Sequence, residues 1–66
     1  MGLKWTDVNA IAIELAERYP TQDPLQISFP DLYARVLELD EFDDHPDHCG
    51  EKILEAIQMA WIEEMD

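Results

Sequence analysis

Basic residues are scarce in this chain. Its 66 residues hold 4 Lys and Arg against 16 Asp and Glu, a formal net charge of −12. Such a field repels nucleic acid and anionic membranes, and it attracts cations or a basic protein surface. Cysteine is scarcer still. Cys49 stands alone, so no intramolecular disulfide can form, which fits a reducing cytoplasm. With only Gly2 and Gly50, the chain has no glycine-rich phosphate loop. Ser28 is the sole serine and has no acid–histidine arrangement around it. It lies in Ile-Ser-Phe-Pro, not in the Asp-Ser-Leu context an acyl carrier needs at a helix start. No apolar stretch reaches the ~20 residues of a membrane span, and the first residues lack the apolar run of a signal peptide. These absences turn the reading away from an enzyme and towards a cytoplasmic binding protein, monomeric by default because like charge opposes self-association.

What is present points to a single small domain over residues 1–66. Hydrophobic residues make up 47% of the chain, enough for a globular core and too many for a disordered one. Six aromatics, Trp5, Tyr19, Phe29, Tyr33, Phe42 and Trp61, can fill that core and leave little room for a deep cleft. The first helix starts after Thr6, a good cap, with Asp7 at its positive end. Val8, Ile11, Ala12, Leu15, Ala16 and Tyr19 recur on one face with a period of ~3.6 residues, and Pro20 ends the helix. Glu14 is placed to pair with Arg18. Residues 20–30 hold three of the four prolines and form a connector. There Leu25, Ile27 and Phe29 alternate with polar residues, as in a very short strand that Pro30 would confine to an edge. A second helix is expected from Pro30 or Asp31 to Leu39, capped near Ser28, with Leu32, Val36 and Leu39 inward and Arg35 paired to Asp31. A third is expected from His48 or Cys49 to Met65, burying Ile53, Ile57, Ala60 and Trp61, with Lys52 near Glu55. The sum is a mainly α, compact three-helix domain, winged-helix-like, with at most a very short strand pair.

The chemistry concentrates between the last two helices. From Val36 to Glu51 there is no Lys or Arg, yet seven acids occur: Glu38, Asp40, Glu41, Asp43, Asp44, Asp47 and Glu51. Glu38 and Asp40 lie at a helix C-terminus, where carboxylates are unfavourable, so the arrangement invites a functional reading beside that of a solvated acidic loop. An EF-hand fails: counted from Asp40, position 12 is Glu51, but position 3 is Phe42 and position 6 is His45. His45, His48 and Cys49 do not match zinc-finger spacing. A loose, oxygen-rich site for a divalent cation such as Fe(II) suits Asp43, Asp44 and Asp47 better, with His45, His48 and Cys49 as further donors. Cys49 reads as an ordinary thiol, because the carboxylates around it oppose ionisation.

Several motifs carry a resemblance over essentially the whole chain. They are Gly2-Leu-Lys-Trp-Thr-Asp7, Asp23-Pro24, Phe29-x-Asp31-Leu32, Phe42-Asp43-Asp44-x-Pro46 and Glu51-Lys-Ile-Leu-Glu-Ala-Ile-Gln-Met-Ala-Trp-Ile-Glu-Glu64. The chain resembles the IscX (YfhJ) family, small acidic accessory proteins of bacterial iron–sulfur cluster assembly. The resemblance implies a winged-helix-like fold, weak and transient iron binding with no tightly held cofactor, and docking on the cysteine desulfurase IscS. It further implies competition with bacterial frataxin for one basic surface, contact with the cluster scaffold complex, and no enzymatic activity. The docking face would comprise Glu38, Asp40, Glu41, Asp43, Asp44 and Asp47, and an Fe(II) carrier is the alternative role. The chain departs from the family pattern at His45, where a third acid is common, at Pro30, often threonine, and at His48 and Cys49, often small polar residues.

Overall fold

Three α-helices form where the apolar period is strongest. The computed structural model describes residues 2–65: α1 is Val8–Arg18, α2 is Phe29–Leu37 and α3 is Glu51–Met65, with a 3-10 turn at Pro46–His48. Among these residues there is no strand. The expected strand pair reduces to one parallel bridge between Leu3 and Phe42. The domain is therefore mainly α, as its patterning implies, and nothing corresponding to a wing hairpin is present among the described residues. Leu25, Ile27 and Phe29 do not make a strand. Ile27 is buried from within the connector, Leu25 is exposed, and Phe29 opens α2. Alternation here marks one inward residue between turns rather than a pleated run.

The helix ends follow local chemistry, with a shift in each helix. Asp7, not Thr6, is the cap residue of α1, and its carboxylate accepts from the backbone N–H of Lys4 rather than from the helix. Ser28 does cap α2: its Oγ accepts from Asp31 N at 3.3 Å, and Pro30 occupies the first turn, where a missing N–H costs nothing. α3 begins at Glu51, two or three residues later than expected, because Pro46–His48 closes its own 3-10 turn and the helical bonding starts only from Gly50 O.

α1 and α3 form the main packing pair, and α2 packs chiefly on α3. The core comprises Trp5, Ile11, Ala12, Leu15, Ile27, Leu32, Val36, Leu39, Leu54, Ile57, Ala60 and Trp61. Leu39 stays buried although α2 stops at Leu37. Tyr19, Phe29, Tyr33 and Phe42 are half-buried around this centre. The local ion pairs expected along the helices are replaced. Arg18 reaches Asp40 at 3.4 Å instead of Glu14. Arg35 lies over the Tyr19 ring, 5.2 Å from its centroid, instead of pairing with Asp31. Lys52 makes no ion pair with Glu55.

Candidate functional site

The acidic stretch is held by the N-terminal segment, forty residues away in sequence. Trp5 must bury its ring and satisfy its indole N–H, and the loop after α2 lets it do both. The ring is 1% exposed, stacked on Tyr33 at 5.6 Å and edge-on to Phe42 at 4.7 Å. Its Nε1 donates to His45 O at 2.8 Å. Ahead of it the backbone zips to the loop: Leu3 N donates to Glu41 O at 2.6 Å, and Asp43 N donates to Leu3 O at 2.8 Å. Gly2 lies so close to the Asp43 Cβ that any side chain there would force one of them to move. Tyr33 OH donates to Pro46 O at 3.2 Å and ties α2 to the 3-10 turn.

This scaffold sorts the acids into two kinds. Glu38, Asp40, Glu41, Asp43 and Asp47 are exposed. Asp40 leans to Arg18, and Glu38 accepts from Tyr19 OH at 3.2 Å. Lys4 Nζ donates to the backbone oxygen of Asp43 and lies 3.7 Å from its carboxylate. The carboxylates of Glu41 and Asp47 make no hydrogen bond or ion pair among the described residues. Asp44 differs. Its side chain is only 14% exposed, and both oxygens are engaged. Oδ2 accepts from Trp5 N at 3.0 Å, and Oδ1 accepts from His45 N at 2.7 Å and lies 3.0 Å from His48 Nδ1. The Trp5 N–H, the largest cause, holds its carboxyl below the ordinary value of 3.8; burial, the next largest, opposes it, and the His45 N–H and the His48 ring add to the lowering.

The expected metal donors are near one another in sequence but do not converge. Among the described residues, no three His, Cys, Asp or Glu side chains come together so as to hold a metal ion. The rings of His45 and His48 meet edge-to-face at 5.1 Å. Cys49 is half-buried with Sγ 3.6 Å from Gly50 O, and burial raises its pKa. The sequence implies an ordinary thiol, and desolvation shifts it towards the neutral form. The residue that sequence reasoning undervalued is Trp5, counted there only among the core aromatics and not as a support of the acidic loop. The signal was available: a tryptophan in a polar segment needs a partner for its N–H as well as a place for its ring.

Among its described residues this small helical domain has no pocket, and its buttressed acidic loop is largely exposed. The family model described as iron–sulphur cluster assembly matches residues 3–66. The chain belongs to that family, the family of IscX (YfhJ). It is 59% identical to the uncharacterized protein PA3808 of Pseudomonas aeruginosa over 66 residues, an alignment that covers 100% of both chains. No helix among the described residues is long and apolar enough to cross a membrane.

Proposed function

We propose that this protein is an adaptor and regulator within iron–sulfur cluster assembly, which docks its acidic loop on the cysteine desulfurase IscS and holds iron weakly as cargo. Membership of the assembly family supplies the process. The observation that supports the docking step is the exposure of Glu38, Asp40, Glu41, Asp43 and Asp47 on one short loop and its flanks. Among the described residues, Lys4 and Arg18 are the cations that reach this loop from elsewhere. The rest of its negative field is free to meet a basic surface and to steer the encounter. Competition with bacterial frataxin follows if both proteins use one basic patch.

The test is desulfurase binding at about 0.1 M and about 1 M salt, where the Debye length falls from ~10 Å to ~3 Å. Wild-type protein should bind at low salt and weaken steeply at high salt. Glu41→Lys with Asp47→Lys should abolish most low-salt binding and leave the circular dichroism unchanged, because neither carboxylate supports the fold. Unchanged affinity in that double variant would reject the docking reading. The carrier alternative, delivery of Fe(II) to the scaffold, draws on the same exposed carboxylates. It ranks second because no ligand set is assembled among the described residues. It requires a defined Fe(II) stoichiometry that magnesium at equal concentration does not reproduce.

A further inference from the structure

We infer that Asp44 is a positioning residue: its carboxylate clasps the N-terminal segment to the acidic loop and so sets the direction in which Asp43 and Asp47 face a cationic partner. The inference deepens the docking reading and rests on it for its functional half. Asp43 and Asp44 are adjacent and alike in sequence, and geometry separates them. The Asp43 side chain is 79% exposed and that of Asp44 is 14% exposed. Asp44 joins three pieces of backbone that no sheet connects among the described residues: the N-terminal segment through Trp5 N, its own loop through His45 N, and the 3-10 turn through the His48 ring. The indole of Trp5 closes the same ring of contacts onto His45 O. Beyond these, the segment is tied to the loop by the two backbone bonds of Leu3, by Lys4, and by the packing of Trp5.

A carboxylate suits this task better than its amide. It accepts at both oxygens, whereas an asparagine in the same place turns one NH2 towards an N–H donor. Charge-assisted bonds to backbone N–H groups are also stronger than neutral ones. D43N and D44N remove the same unit of charge, so a pure docking role makes them equivalent and a clasp does not.

The experiment compares D43N and D44N by Trp fluorescence, by amide exchange at Trp5 and His45, and by desulfurase affinity at the two salt concentrations. The expected result for D43N is native fluorescence, native exchange, and a several-fold affinity loss at low salt that vanishes at high salt. For D44N it is altered Trp5 emission, faster exchange at Trp5 and His45, and a low-salt affinity loss several-fold larger than that of D43N. Native emission and exchange in D44N, or an affinity loss no larger than that of D43N, would overturn the inference. If D44N does not fold, His48→Ala removes a single partner of the clasp and is read by the same exchange, with unchanged rates at Trp5 and His45 overturning the inference. If wild-type protein fails to bind the desulfurase, the docking reading falls, while fluorescence and exchange still decide whether the clasp exists.

Discussion

Replacing Trp5 and Trp61 one at a time by phenylalanine separates two tryptophans that burial alone cannot distinguish. Both are essentially inaccessible, at 1% and 0% exposure. Shrinking the ring removes a similar apolar volume at each site and costs about 1–2 kcal/mol. The indole N–H then sets the difference. At Trp5 it donates to His45 O at 2.8 Å, and losing that bond adds about 1 kcal/mol. At Trp61 the buried Nε1 has no partner among the described residues. Such an unsatisfied donor costs about 1–3 kcal/mol, so removing it offsets most of the lost packing. Trp5→Phe should therefore destabilise by about 2–3 kcal/mol and Trp61→Phe by about 1 kcal/mol or less. Urea unfolding followed by circular dichroism resolves this easily. With a slope near 1 kcal/mol/M for so small a domain, the two midpoints should differ by roughly 2 M. A Trp61→Phe protein as unstable as Trp5→Phe would refute the reasoning, because the unpaired N–H would then carry no cost. Since Trp5 also seats the acidic loop, its variant should lose desulfurase affinity as well, and the Trp61 variant should not.

The depressed pKa of Asp44 gives a signed pH effect. Its contribution to stability is complete above its ordinary value of 3.8 and is lost as the pH falls through its lower folded value. Protonating the other acids meanwhile relieves self-repulsion, so the informative quantity is the difference between proteins. The urea midpoint of wild type should drop further than that of D44N between pH 7 and pH 3, and equal drops would contradict the assignment. Lys4 acts as an internal rival for any partner of Asp43: the two side chains are 52% and 79% exposed and 3.7 Å apart. Lys4→Gln should raise affinity for a cationic partner by up to roughly fivefold at low salt and leave it unchanged at high salt, measured by titration calorimetry. A weaker complex would mean that Lys4 counts for more as a tie between the N-terminal segment and the loop than as a rival of the partner.

Much of the fold is legible along the chain because it is decided within a few residues. The 3.6-residue period of α1 places Ile11, Ala12 and Leu15 inside, and the same holds for Leu32 and Val36 in α2 and for Ile57 and Trp61 in α3. The Ser28 cap lies three residues from its donor. Local rules lose ground where distant groups compete. Glu14 and Asp31 are well placed for Arg18 and Arg35, yet an exposed i,i+4 pair is worth so little that Asp40 and the Tyr19 ring prevail. Alternation at Leu25, Ile27 and Phe29 implies a strand only where a partner strand exists, and among the described residues none does.

The candidate site divides along the same line. The sequence alone settles that this protein carries a dense negative field and that the field is concentrated between Glu38 and Glu51, since charge follows from residue type and its concentration from residue order. Which carboxylates present that field is decided only in three dimensions. Asp43 and Asp44 are chemically identical neighbours, and the contact of Trp5 from forty residues away turns one inward as a clasp and leaves the other to solvent. A backbone N–H that leaves water must find an acceptor, and the nearest carboxylate in space, not in sequence, supplies it.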